Sequence, residues 1–193
     1  MSSTSARRVV VGGLVVLLLG GIGYQIYRLQ QPSRGGDPGN DVPQLSAVQT
    51  FDYPGGDHTS DPVSYDQRPP AGGPHDPAWE DCGIYPQPIR DENAVHALEH
   101  GTVWVTYRPD LAPADVQALV TKLHAVKSGK TILSPYDGLP APVVVTVWDA
   151  QLDLTGTDDP RLALFLGFYG DGHTSPEPNA SCAGGVHNLA GQG

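Results

Sequence analysis

The chain has 193 residues, of which 11 are Lys or Arg and 21 are Asp or Glu, giving a formal charge of −10 at pH 7. This acidic balance argues against a nucleic-acid-binding protein, which needs a basic surface for phosphate groups. The 24 Gly and 19 Pro indicate long loops rather than a large α/β enzyme. Two cysteines are too few for a disulfide-dense mini-protein or for a zinc module built from several cysteines.

The first predicted element is a transmembrane helix over residues 9–27, in which Gln25 is the only strongly polar residue. A helix of this length reaches about 28 Å, close to the thickness of the hydrocarbon core of a bilayer. A cleaved signal peptide is the alternative, but the apolar run is long and no small-residue cleavage site follows it. Arg7 and Arg8 predict that residues 1–8 are cytoplasmic, which places the rest of the chain outside the cytoplasmic membrane.

A Pro- and Gly-rich linker is predicted at residues 28–50, followed by an extracytoplasmic domain over residues 51–193. Residues 51–90 show no hydrophobic periodicity and predict an irregular, packed region. In an exported domain, Cys82 and Cys182 most simply form one disulfide, which closes a loop of about 100 residues. A free thiol that acts as a soft metal ligand is the alternative.

Regular elements are predicted from residue 91 onwards. Asp91 and Glu92 suit the first turn of a short helix that runs to His100 and stops at Gly101. The further predictions are a strand at 102–107, a helix at 110–126, strands at 131–133 and 143–148, and a last helix capped by Asp158 or Asp159. This order predicts an α+β fold in which a small, mostly antiparallel sheet carries helices on one face.

One pattern in the predicted first helix can carry chemistry. His96 and His100 are four residues apart and share a helical face, so both imidazoles can reach one ion. Glu99 lies beside them and would ligate the ion or orient a ligand. His58 and His75, in the Pro- and Gly-rich region, are further candidate ligands, because imidazole suits both copper and zinc. His173 and His187, in the tail, are weaker candidates, and His124, on the second helix, is expected at the surface.

Two other interpretations of these residues remain open. In the first interpretation, the histidines form a structural polar network, and His100 interacts with the dipole at the C-terminus of the helix. The H-x-x-E-H pattern also matches a metalloprotease signature, in which two histidines bind zinc and the glutamate activates water, with Glu177 as a third ligand. A five-residue pattern is common by chance, however, and the sequence has no P-loop, Rossmann or G-x-S-x-G signature.

Several segments resemble the bacterial domain-of-unknown-function family 3105. The most specific are PPAGGPH at residues 69–75 and VHALEHG at residues 95–101, together with Trp79 and Tyr85. Segments at 107–109, 135–142 and 176–177 also agree, so the resemblance spans residues 50–180. It implies a membrane-anchored or exported protein, and it implies no activity, because none is established for the family.

The expected function is metal handling by a single-pass, membrane-anchored protein whose domain is extracytoplasmic. The expected ligands are His58, His75, His96 and His100, with Glu99 as an extra ligand or as a residue that orients one. Copper is favoured over zinc, because copper binds most tightly in the divalent series. One alternative is an accessory subunit of a larger membrane-protein complex, in which the transmembrane helix packs through its small residues. The weaker alternative is a metallohydrolase with Glu99 as its base.

Overall fold

The computed structural model describes residues 43–126 and 128–187, which form a six-stranded sheet and three α-helices. The helices are α1 (Asp91–Glu99), α2 (Pro113–Leu123) and α3 (Arg161–Tyr169). The strands are β1 (Gln49–Thr50), β2 (Gly83–Ile84), β3 (Val103–Tyr107), β4 (Thr131–Pro135), β5 (Val143–Val147) and β6 (Ala150–Leu154). The predicted helices and strands are present with bounds that differ by a few residues, whereas β1, β2 and β6 were not predicted.

Local sequence explains the elements that were predicted. The runs in β3 and β5 consist of β-branched and aromatic residues and are buried throughout, as expected of central strands. Pro113 begins α2, where its missing N–H group costs no hydrogen bond. The Asp159 carboxylate accepts a hydrogen bond from the Arg161 backbone N–H at 3.0 Å, which satisfies one of the free donors at the start of α3.

The sheet has the strand order β1-β6-β5-β3-β4-β2. β3 is antiparallel to β5 on one side and parallel to β4 on the other. Beyond β5, the strands β6 and β1 are each antiparallel to their inner neighbour. Beyond β4, β2 is parallel to β4. The sheet is therefore mixed: three of its five strand pairs are antiparallel, and the prediction of antiparallel pairing is wrong for β3–β4 and β2–β4. The reason is α2, which connects β3 to β4 as a crossover and so brings two strands side by side in the same direction.

Helices cover both faces of the sheet, so the prediction of helices on one face is also wrong. Successive residues of a strand point to opposite faces, and Val103 and Val105 pack in the core that contains residues of α2 and α3. Trp104, between them, packs in a second core with Leu98 and other residues of α1. The apolar side of α1 indicates that the helix packs on the sheet, but it carries no information about which face it covers.

Irregular segments complete the layer that contains α1. Tyr53, Tyr65 and Trp79, all from the region predicted to be irregular, pack partly buried against the core of α1. Cys82, just before β2, forms a disulfide with Cys182 in the C-terminal segment. The predicted pairing is confirmed, and the alternative of a free thiol that binds metal is wrong.

The described part of the chain begins within the segment predicted as a linker. Residues 43–45 form a 3₁₀ helix, Leu45 and Val48 are buried in the core with α2 and α3, and β1 pairs with β6. The predicted cytoplasmic N-terminus and the predicted transmembrane helix over residues 9–27 lie outside the described residues. Within residues 43–126 and 128–187, no helix combines the length and the apolar character that are needed to cross a bilayer.

Candidate metal centre

The C-terminal end of α1 supplies three of the predicted donors, His96 and Glu99 in its last turn and His100 directly after it. Its first turn carries Asp91 and Glu92, which interact favourably with the positive end of the helix dipole. The helix ends at Glu99, and Gly101 follows with φ of 82°, a backbone conformation that glycine adopts without strain. His96 and His100 lie one turn apart, and their Nε2 atoms are 3.0 Å from each other.

Two Pro- and Gly-rich loops bring the remaining histidines to this turn of α1. The backbones around His58 and His75 run parallel as a short β-bridge. The Thr59 N–H donates to the His75 carbonyl at 2.7 Å, and the His75 N–H donates to the Asp57 carbonyl at 3.0 Å. This pairing joins two loops that are 17 residues apart in the sequence (75 − 58), and no sequence periodicity indicates it.

Four donors form a compact group above α1. The Nε2 or Nδ1 atoms of His58, His75 and His96 and a carboxylate oxygen of Glu99 all lie within 4.8 Å of one another. His75, His96 and Glu99 are no more than 4% exposed, whereas the His58 side chain is 42% exposed. The group therefore has three buried donors and one donor that faces solvent. His100 lies next to this group through its contact with His96 and is not one of its four members.

Backbone carbonyls orient the three buried imidazoles. The Nδ1 atoms of His75, His96 and His100 are 2.8, 2.6 and 2.8 Å from the carbonyl oxygens of Gly73, Asp76 and Ser181, respectively. Because a carbonyl oxygen only accepts hydrogen bonds, each Nδ1 carries the hydrogen in these contacts. When such a ring is neutral, its Nε2 atom is a lone-pair donor that points into the cluster. Metal-binding histidines commonly have such an outer hydrogen bond.

Asp76, the loop residue that orients His96, is itself held by an ion pair and by a backbone hydrogen bond. Asp76 accepts a hydrogen bond from Arg90 at 2.8 Å through its carboxylate, and its backbone N–H donates to the Glu92 carbonyl at 3.3 Å. These contacts hold the Asp76 carbonyl in place over α1. Residues that orient a ligand without binding the ion have no sequence pattern of their own, so Asp76 and Arg90 were not predicted.

Glu99 is oriented in a similar way. Its Oε1 atom accepts a hydrogen bond from the Gly56 N–H at 2.6 Å. Its Oε2 atom then faces the Nε2 atoms of His75 at 3.0 Å and of His58 at 3.7 Å. Gly55 is required beside it, because a Cβ atom at this position would lie 2.9 Å from Glu99 Oε1 and 2.7 Å from Pro176.

These contacts place lone pairs opposite one another. His96 Nε2 faces His100 Nε2, and His75 Nε2 faces Glu99 Oε2, each at 3.0 Å. With the hydrogens on Nδ1, neither contact contains a donor, so each needs a cation, either a proton or a metal ion. Burial lowers the pKa of His96 to about 4, against the opposing hydrogen bond to the Asp76 carbonyl, and the neighbouring imidazoles lower it further. His96 is therefore neutral at neutral pH.

Aromatic side chains enclose the cluster on two sides. The Trp79 ring centre is 4.9 Å from that of His100 and 5.8 Å from that of His96. Trp148, which is buried, packs edge-on against His75 at 5.8 Å. The indoles shield the buried imidazoles from water, so the route to solvent runs past His58.

The C-terminal strap, residues 172–187, closes the side of the cluster next to His100. The Glu177 N–H donates to the Glu99 carbonyl at 3.0 Å, and the Glu177 Oε2 atom lies 3.7 Å from His100 Nε2. Lys130 fastens the strap, because its ammonium group donates to the carbonyls of His100, Pro178 and Ala180. As a ligand, Glu177 was predicted only through the metalloprotease signature.

The two weaker candidates, and His124, lie apart from this cluster. His173 interacts with Asp171 at 2.6 Å on the surface, and His187 contacts Tyr85 and Asp81. His124 is exposed at the end of α2. The structure thus brings together His58, His75, His96 and Glu99 from the predicted set and places His100 beside them.

The family described as protein of unknown function (DUF3105) matches residues 58–184. The match includes the four donors, His100, Glu177 and both cysteines, and it confirms the resemblance found in the sequence motifs. No curated protein and no solved structure matches the chain.

Proposed function

The chain belongs to DUF3105, a family of proteins of unknown function, and we propose that it is a membrane-anchored, extracytoplasmic protein that binds copper or zinc. The ligands of this ion are His58, His75, His96 and Glu99, and His100 supports them from the side. The biological role is metal handling, meaning that the protein stores the ion or delivers it to another protein. The observation that carries this proposal is the orientation of the buried imidazoles by backbone carbonyls.

The orientation favours a metal site over a structural polar network. In a network, each buried nitrogen should have a donor or an acceptor opposite it. Here His96 Nε2, on a ring that is neutral at neutral pH, faces a third imidazole, and His75 Nε2 faces a carboxylate, so each contact needs a proton or a metal ion between its two atoms. Ligand atoms that share one ion at bond lengths of about 2.0–2.2 Å lie roughly 3.0–3.6 Å apart. The His75–Glu99 contact of 3.0 Å lies in this range, and the His58–Glu99 contact of 3.7 Å lies just above it.

The donor set favours copper or zinc over harder ions. Imidazole suits both metals, whereas calcium and magnesium take oxygen ligands almost exclusively. Copper is preferred because it has the highest affinity for a given nitrogen and oxygen site in the divalent series.

Metal handling fits the contacts better than hydrolysis. A glutamate that acts as a base must face a water molecule on the ion, whereas Glu99 directs one oxygen to a backbone N–H and the other to two imidazoles. Four protein ligands around one ion also leave little room for a substrate, and catalytic zinc sites usually keep one position open. The exposed His58 supplies a ligand that can leave first when the ion is transferred.

The proposed location rests on two further observations. The apolar run at residues 9–27 has the length of a transmembrane helix, and Arg7 and Arg8 before it favour a cytoplasmic N-terminus. The Cys82–Cys182 disulfide fits an oxidising compartment outside the cytoplasm.

The test is elemental analysis of the full-length protein, extracted in mild detergent without a His tag from cells grown with copper and zinc. We expect near-stoichiometric metal in the wild type and its loss in the folded variants His75→Ala and His96→Ala. His124→Ala, which changes an exposed histidine outside the cluster, should retain the metal. A folded wild-type protein that takes up neither ion would contradict the proposal and favour the accessory subunit, for which copurifying membrane proteins are the sign.

A further inference from the structure

The Cys82–Cys182 disulfide joins the two segments that cover the C-terminal end of α1. One of them consists of residues 76–82 and ends at Cys82. Its first residue, Asp76, orients His96 through its carbonyl oxygen, which lies 2.6 Å from the Nδ1 atom of the imidazole. The other segment is the C-terminal strap, which contains Cys182. The disulfide therefore ties together the segments that orient donors on two sides of the site.

The strap orients donors on its own side of the site. The carbonyl oxygen of Ser181, the residue before Cys182, lies 2.8 Å from His100 Nδ1, and the opposite nitrogen of this ring contacts the proposed ligand one turn earlier. The Glu177 N–H donates to the Glu99 carbonyl at 3.0 Å. A strap that opens releases the His100 ring and the backbone at Glu99, and it removes part of the cover of the cluster.

Apart from the disulfide, the strap is held mainly by hydrogen bonds. Among the described residues, neither hydrophobic core includes a side chain from residues 172–187. Lys130 fastens the strap at its middle, and a β-bridge between Glu80 and Val186 fastens it near its end. Segments with few buried apolar contacts are the first to open in a folded protein. The disulfide opposes this opening, because it fixes the strap at Cys182.

The disulfide is open to reagents, since Cys82 and Cys182 are both partly exposed. We propose that its oxidation state regulates metal binding: the oxidised protein holds the ion tightly, and reduction frees the strap and weakens the site. The inference rests on the proposed function and adds the regulation of that site.

The reductant is a dithiol, which reacts by thiol–disulfide exchange. One of its thiolates attacks a sulfur of the disulfide and forms a mixed disulfide, and the other cysteine leaves as a thiolate. The second thiol of the reductant then attacks the mixed disulfide and displaces the remaining cysteine. Two electrons and two protons pass from the dithiol to Cys82 and Cys182, the reductant becomes a disulfide, and the metal ion keeps its oxidation state.

The size of the effect follows from the role of the contacts that orient the donors. Loss of such a contact lowers metal affinity by about 10–100-fold. Linkage between the two equilibria is reciprocal, so a bound ion should make the disulfide harder to reduce by the same factor. For a two-electron couple, this factor corresponds to a reduction potential that is lower by about 30–60 mV.

The test is a titration of the full-length protein in detergent with Cu²⁺ and with Zn²⁺, against a chromophoric chelator. Oxidised wild type is compared with the Cys82→Ser/Cys182→Ser variant, since neither contains a thiol that would bind or reduce the added ion. Reduced wild type with both thiols alkylated is the third form. Oxidised wild type should bind the ion about 10–100-fold more tightly than the other two forms. His124→Ala, an exposed change outside the cluster, should retain the affinity of oxidised wild type.

Hydrogen exchange without metal is the second measurement. Loss of the disulfide should lower the protection of the Glu177 and Val186 amides in the strap and leave that of β3 and β5 unchanged. Equal affinities in the three forms would overturn the proposal. Loss of the whole fold in the forms without the disulfide, seen by near-ultraviolet circular dichroism, would also overturn it, because the bond would then support the fold and not the site alone. An oxidised wild type that binds neither copper nor zinc would instead contradict the proposed function itself.

Discussion

Lys130 joins the C-terminal strap to the end of α1, and the Lys130→Met substitution tests how much this junction stabilises the fold. The ammonium group donates to the carbonyls of His100, Pro178 and Ala180 at 2.8, 2.7 and 2.8 Å. Methionine keeps a side chain of similar length and removes all three donors. The positive charge is also lost from the C-terminal end of α1, where it interacts favourably with the helix dipole.

The expected loss follows from the number and the exposure of these contacts. A hydrogen bond to a charged group contributes about 1.5–3 kcal/mol when its partners are buried. The contact to Pro178 is exposed and the other two are partly buried, so about 1 kcal/mol for each contact is the appropriate magnitude. The free energy of unfolding should therefore fall by about 3 kcal/mol, which lowers the melting temperature by roughly 6–12 °C in a protein of this size.

The assay is denaturant unfolding of the full-length protein, followed by tryptophan fluorescence. Lys122→Met is the matched comparison, since the Lys122 ammonium donates to one carbonyl, that of Thr157, and lies 3.4 Å from the exposed Asp158 carboxylate. It should cost about 1 kcal/mol. Equal losses for the two variants, or a loss below about 1 kcal/mol for Lys130→Met, would refute the reasoning.

Two further predictions concern stability. Replacing both Cys82 and Cys182 with serine should lower the free energy of unfolding by about 4–5 kcal/mol. The two residues are 100 positions apart, and without the disulfide the unfolded chain gains the entropy of that loop. A reducing agent should lower the melting temperature of the wild type and leave that of this variant unchanged. Burial raises the pKa of Asp91 to about 6, against the opposing hydrogen bond from Tyr136, and the neighbouring Glu92 carboxylate raises it further. The folded protein then holds this proton more tightly than the unfolded chain, so Asp91 costs stability as the pH rises from 4 to 6. Asp91→Asn should be more stable than wild type by about 2 kcal/mol at pH 7.5 and equally stable near pH 4, and a difference that does not change with pH would exclude this role.

The sequence was sufficient to predict those helices and strands whose apolar residues follow one regular pattern. β3 and β5 are apolar along their whole length, and α2 has apolar residues at helical spacing. β6 was missed because Gln151 and Asp153 interrupt its apolar pattern. Gln151 is buried, and its side chain donates to Thr146 and to the Pro69 carbonyl. Pro69 is 82 residues away in the sequence, so no local pattern could show that this polar residue is satisfied inside the sheet.

The residues of the candidate site could be predicted from the sequence, but their distances and orientations could not. Helical spacing is enough to place His96, Glu99 and His100 on one turn. His58 and His75 come close to the end of α1 through a β-bridge between two irregular loops, which no sequence pattern indicates. They were predicted as ligands only because imidazoles bind the same ions as His96 and His100. The carbonyls that orient the rings are backbone atoms, which every residue has, so the sequence could not identify them.

The most direct test of the central claim is anomalous diffraction from crystals of the full-length protein loaded with copper or zinc. We expect an anomalous peak at about 2.0–2.2 Å from His75 Nε2 and Glu99 Oε2. The rings of His75 and His96 should keep their Nδ1 contacts to the Gly73 and Asp76 carbonyls. A metal peak only at surface histidines such as His173, with the buried imidazoles unliganded, would contradict the account.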